Sequence, residues 1–187
     1  MEELIRQLVP NAPKYGLFVA PKIPRDKLDN AIRDFAQGVD PDDVLVMYDA
    51  TLMGSAKDGA LFTADGFVFQ NTDLDAPQEI KYDDIVRVNM KRSLLKGKRV
   101  GLDVNQGRAT IPVVIDFSGK PKAAEIIARF LSEAMLKSIV DAELDDDEHL
   151  ETVTDKRAVQ SAMKALVDRK MLAPADFETL KEAIDDL

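Results

Sequence analysis

From Val44 the chain alternates. Val44, Val46 and Tyr48 fall on one side and Leu45, Met47 and Asp49 on the other, which predicts a strand buried in part on both faces and ended by Gly54-Ser55. Ala60-Leu61-Phe62-Thr63 and Phe67-Val68-Phe69-Gln70 are apolar runs joined by Ala64-Asp65-Gly66. A glycine able to take positive φ makes that connection a tight hairpin. Glu79 to Tyr82 predicts a short strand. Val86, Val88 and Met90 then alternate with Arg87, Asn89 and Lys91, giving one apolar and one basic or polar face. Val100, Leu102 and Val104 form the next inward set, and Ile111, Val113, Ile115 and Phe117 the last. Pro112 fits a strand only where the ladder has no partner for it, on an edge or at a bulge.

Helical spacing brackets these strands. Leu28, Ile32 and Phe35 share one face of a helix that ends near Gly38 and is expected to dock on the sheet. Leu4, Ile5 and Leu8 suggest a shorter helix at 1–9. Between the two, Pro10, Pro13, Pro21 and Pro24 exclude regular helix and predict an arm. After Gly119-Lys120-Pro121, the stripe Ile127, Phe130, Leu131 and Ala134 predicts a helix of about 20 residues. The periodicities give an α+β chain of about seven antiparallel strands followed by a helix.

Three motifs in the first strands add a resemblance. Tyr48-Asp49-Ala50-Thr51, Gly54-Ser55-Ala56-Lys57-Asp58-Gly59 and Leu61-Phe62-Thr63-Ala64-Asp65-Gly66 resemble, in order and spacing, the opening of bacterial pleckstrin-homology-like domains. The resemblance covers about residues 40–140. It implies a seven-stranded antiparallel curved sheet or barrel closed by its C-terminal helix, with helical N- and C-terminal extensions. Such domains bind proteins, lipid headgroups or one another, so it implies binding and no catalytic residue. Near the other end, Leu166, Asp168, Met171, Leu172, Asp176, Phe177, Glu178 and Lys181 resemble the short two-helix C-terminal module of many bacterial proteins. Lys170 stands where that module usually has glycine, and Ala173 where it has threonine. The expected organisation is an arm and helix at 1–39, the core domain at 40–140, an acidic linker at 141–153 and the two-helix module at 154–187.

Charge divides the chain. Of a net −9 over 187 residues, residues 141–187 carry 14 acids against 6 bases, whereas residues 87–108 carry seven bases against Asp103 alone. Such asymmetry bears on partners and not on fold. It predicts a partial, salt-sensitive attraction between the acidic tail and the basic hairpin. Without cysteine there is no disulfide and no thiolate chemistry. No apolar run reaches the roughly 20 residues that span a bilayer, and the first residues lack the basic start of a secretory signal, so the expected location is cytoplasmic.

Candidate chemistry is sparse. No GxGxxG, Walker A, GxSxG or HExxH pattern occurs, no cofactor is implied, and the expectation is that the protein is not an enzyme. His149 lies alone in the acidic linker. Asp145-Asp146-Asp147-Glu148 lacks the spacing of a calcium loop and reads as a solvated charge run. The basic cluster is Lys91, Arg92, Lys96, Lys98 and Arg99, with Leu94 and Leu95 as possible apolar contacts at its tip. It reads either as an anion site for phosphate, carboxylate or nucleic acid, or as a solvated hairpin charged to keep strand edges from pairing. The expected function is a non-enzymatic protein-interaction or self-association module, with anionic membrane or phosphorylated headgroups at the basic hairpin as the alternative. No specific nucleic-acid signal is present.

Overall fold

The computed structural model describes residues 1–93, 97–117, 119–145, 156–169, 171–173, 176–178 and 180–181. It divides into two compact units, residues 1–134 and 135–187. The first unit contains two antiparallel sheets. One has five strands in sequential order: β1 (Leu17–Val19), β2 (Val46–Asp49), β3 (Gly59–Phe62), β4 (Gly66–Gln70) and β5 (Gln78–Lys81). The other has three: β6 (Ile85–Ser93), β7 (Gly97–Gln106) and β8 (Ala109–Asp116). Helices α1 (Glu2–Leu8) and α2 (Arg25–Asp34) belong to the chain before β2, and α3 (Pro121–Asp145) follows β8.

Among the described residues no strand pairing joins the sheets, so the single sheet or closed barrel implied by the resemblance is instead two open sheets. The ladder stops at the single helical turn Tyr82–Asp84, and the register shifts between Ile85 and Arg87 as β6 begins. A turn followed by a bulge re-aims the strand and ends pairing with the earlier sheet.

Strands β2 and β3 are buried at every residue because both faces are covered. On one face Phe62 stacks on Phe67 at 5.2 Å. Phe130 of α3 meets Phe62 at 6.0 Å and Tyr82 at 5.7 Å, both edge-on. Phe117 lies 4.5 Å from Tyr48. The stripe Ile127, Phe130, Leu131 and Ala134 is fully buried. Each large aromatic so buried contributes on the order of 2–3 kcal/mol of transfer free energy. The opposite face of the five-stranded sheet carries Met47 and Leu61, which form one cluster with Phe18 and with Leu28, Ala31 and Phe35 on or just after α2.

Several expectations change in detail. The proline-punctuated arm contributes strand β1, which pairs Leu17, Phe18 and Val19 with Tyr48, Met47 and Val46. Gly66 has no positive φ; it is needed because a Cβ there would meet the Ile80 carbonyl at 2.3 Å, where β5 passes close to the hairpin. Met90 lies directly opposite the buried Val100 yet remains 40% exposed, because β6 is an edge strand with no strand beyond it among the described residues. Val86 and Val88 are only partly buried and Ile85 takes the fully buried position, as expected when a bulge displaces the alternation by one residue. Pro112 is exposed on the edge strand β8.

The second unit contains the end of α3 and helix α4 (Lys156–Asp168). Beyond α4, the N–H groups of Met171 and Leu172 both donate to the Leu166 carbonyl, at 2.8 and 3.2 Å, which closes that helix end. Lys170, the central acidic run 146–155 and His149 lie outside the described residues.

Candidate functional site

Two regions concentrate charge: the loop 50–58 between β2 and β3, and the ribbon formed by β6 and β7.

The loop is built around Asp49, the last residue of β2, whose side chain is almost completely buried. Its Oδ1 accepts from the Thr51 backbone N–H at 2.9 Å and from Thr51 Oγ1 at 2.5 Å, and its Oδ2 accepts from Lys27 Nζ of α2 at 2.8 Å. Thr51 Oγ1 in turn accepts from the N–H groups of Ser55 at 2.8 Å and Ala56 at 3.2 Å. Cations close the loop from both sides. Lys27 also donates to the Gly54 carbonyl, and Lys120, just before α3, donates to the carbonyls of Asp49 and of Thr51, the latter at 3.3 Å. Asn30 Nδ2 donates to the Ser55 carbonyl at 2.9 Å. Gly59 ends the loop with φ +144°, and a Cβ there would meet the Tyr48 carbonyl at 1.9 Å.

The electrostatics follow from this packing. Burial by itself pushes the Asp49 carboxyl up, but the Lys27 and Thr51 hydrogen bonds, with Lys120 nearby, outweigh it and hold Asp49 below its ordinary value. Burial lowers Lys120, with Asp49 opposing and Lys27 adding to the effect. At the far end of the loop, burial and the carboxylates of Asp73, Asp34, Asp75 and Asp49 raise Asp58, whose Oδ1 has no hydrogen-bond partner. The tip of this pinned loop carries Leu52 and Met53, which are 98% and 90% exposed.

The ribbon is different. Lys91 sits opposite Arg99, and Arg92 opposite Lys98, in the backbone register. Lys98 Nζ holds Glu125 of α3, and Arg99 Nη2 lies 3.1 Å from Asp116 Oδ2. Lys122 holds the same Glu125 at 2.8 Å; the hydrogen bonds from Lys122 and Lys98 keep that carboxyl down at about 2. Lys98 and Arg99 are consecutive in β7 and so leave the ribbon on opposite faces. Among the described side chains of the basic cluster, Lys91 alone lacks an ion pair. Leu94, Leu95 and Lys96 lie outside the described residues, as does the side chain of Arg92.

The sequence marked Asp49, Thr51, Gly54 and Gly59 as a resemblance and the ribbon as charge. It gave no signal for Lys27, Asn30 or Lys120, which reach the loop from segments distant in the chain, and none for the exposure of Leu52 and Met53. Among the described residues, no three acidic or histidine side chains are grouped to hold a metal ion, and no helix is long and apolar enough to cross a membrane. Compared with known proteins, the chain matches no family model, no curated protein and no solved structure.

Proposed function

We propose that this chain is a non-enzymatic protein-interaction or self-association module built on a pleckstrin-homology-like core. The observation that carries this reading is the use made of buried charge. Asp49, Lys27 and Lys120 all hold the backbone of a loop that lifts Leu52 and Met53 into solvent. A catalytic site keeps a charged or nucleophilic group open to a substrate in a cleft. Here these three groups are consumed in shaping a surface, and exposed large apolar side chains on a fixed frame are characteristic of contact sites. The pleckstrin-homology-like part of the reading is supported by the order of elements: four strands β2 to β5, three strands β6 to β8, then α3, with β1 and α2 as additions.

The test uses the full chain in two assays, light scattering across a concentration series and cross-linked capture from native extract. The reading predicts self-association or a captured protein. The double variant L52S/M53S is expected to lose a foreign partner without a change in melting temperature. A chain that stays monomeric and captures nothing overturns the reading.

The second reading is anionic membrane or phosphorylated headgroups at Lys91, Arg92, Lys96, Lys98 and Arg99, with Leu94 and Leu95 as apolar contacts. It ranks lower because Lys98 and Arg99 already hold carboxylates. Flotation with anionic vesicles at low and physiological salt tests it, and no binding at either salt removes it.

A further inference from the structure

The two sheets have four edges, and they are treated differently. The outward N–H of Val19 on β1 donates to Asn11 Oδ1 at 3.0 Å, and Leu17 exchanges two backbone hydrogen bonds with Ala12. On β8, Asn71 acts as a one-residue strand: its Nδ2 donates to the Val114 carbonyl and its Oδ1 accepts from the Asp116 N–H, both at 2.8 Å. Pro112, also on that side, has no N–H to offer. Edge strand β6 carries exposed Arg87, which lies 3.6 Å from Asp103 of β7, and the exposed cation Lys91, which discourages pairing with a second copy of the same edge.

On strand β5 no side chain covers the edge among the described residues, and its exposed charges are of both signs, Glu79 and Lys81. The Tyr82 N–H donates to the Asp65 carbonyl at 3.2 Å, so by alternation Ile80 and Gln78 direct their backbone groups towards β4, while Glu79 and Lys81 direct theirs away from the sheet. Among the described residues no hydrogen bond is made across this edge, and neither Glu79 nor Lys81 has an ion-pair partner. Gln78, Glu79 and Lys81 are exposed and Ile80 is buried.

We propose that β5 is a self-complementary edge at which a second copy of this chain adds antiparallel about a two-fold axis through Ile80, joining the two five-stranded sheets into one. This rests on the self-association arm of the proposed function. The register follows from two requirements. Outward-facing residues must meet outward-facing residues, which allows Glu79 to face Glu79, Lys81 to face Lys81, or Glu79 to face Lys81 of the second copy. The first two bring like charges together, and only the third makes opposite-charge pairs. By symmetry it makes two such pairs and four backbone hydrogen bonds. Pro77 on one side and the turn Tyr82–Asp84 on the other limit the ladder to that length. Beside the edge, a groove of about 230 Å³ lined by Phe35, Gln37, Val39, Val68, Pro77 and Glu79 offers both polar and apolar surface to the side chain of the second copy's Lys81. A contact this small belongs with weak, reversible interfaces.

The test is charge exchange on the full chain, read by sedimentation from about 1 µM to about 1 mM. Wild type is expected to form a reversible dimer. E79K and K81E, each placing like charges opposite one another, are expected to weaken it by about tenfold or more while melting as wild type does. The double variant E79K/K81E restores the dimer. An equimolar mixture of E79K and K81E forms the heterodimer, since each supplies the charge the other lacks. If wild type dimerises and both single variants dimerise equally well, the β5 edge is wrong while self-association stands. If wild type is monomeric throughout, this inference and the self-association arm both fall, and capture from extract alone decides whether a foreign partner remains.

Discussion

The loop 50–58 and the β6–β7 ribbon both hold cations against carboxylates, yet the same pairing has different consequences in the two places. In the loop, Asp49 is nearly inaccessible and every partner it holds is backbone or is itself tied to backbone, so the charge fixes the course of the chain. On the ribbon, Lys98 and Arg99 are partly exposed and hold side chains only, so their pairs orient cations without shaping the fold. A buried charge whose partner is removed is costly, whereas an exposed pair is screened and worth little.

This contrast orders the expected effects of substitution. D49A is the most damaging: it leaves Lys27 without its carboxylate, Lys120 without a neighbouring negative charge and Thr51 without its acceptor, and is expected to cost about 3–5 kcal/mol in denaturant unfolding of residues 1–134. N71A comes next, at about 1–2 kcal/mol, because it removes the Asn71 side-chain hydrogen bonds to the Val114 carbonyl and the Asp116 N–H. It should also raise the tendency to aggregate, measurable by light scattering on heating. K98A is expected to shift the midpoint least, and only at low salt. A ribbon variant as damaging as D49A would erase the distinction.

The two ends of the loop also separate by pH. Asp49 is held below its ordinary value, so its contribution is fully present above the unfolded carboxyl value of about 3.9 and is lost as pH falls through the folded value. Asp58 is raised, so the folded state favours its protonated form and stability declines as pH climbs from the ordinary value through the raised one. D58N removes that penalty and should give a small gain at neutral pH, whereas D49N should lose stability there. Thermal melts from pH 3 to pH 7 on both variants check the opposite signs.

Much of the fold was legible because it rests on period. The alternations at 44–48, 100–104 and 111–117 and the stripe 127–134 reflect burial that a strand or helix must repeat along its length. What escaped has no period. Strand β1 is three residues long among prolines, and it is held by contacts made outside the strand: the Gly16 carbonyl accepts from Asp49 N–H at 2.8 Å on the β2 side, and the Asn11 side chain accepts from Val19 N–H on the outer side. Met90 looked inward because alternation carries no information on whether a strand lies at an edge. Of the site, the sequence displayed the local half, Asp49-x-Thr51 with the glycines that turn the chain. Lys27 and Lys120, 22 and 71 residues from Asp49, act through geometry alone. The basic cluster was conspicuous as composition, but charge along a chain does not reveal which cations already hold a carboxylate.

The Asp49 network holds loop 50–58 in a fixed shape from which Leu52 and Met53 project. Amide hydrogen exchange on the full chain tests it most directly, because the Thr51, Ser55 and Ala56 N–H groups are bound to side-chain oxygens of this network. These three amides are expected to exchange far more slowly than those of an open loop and to lose that protection in D49N while the amides of β3 and β4 keep theirs. Free exchange of all three in the wild-type chain would contradict it.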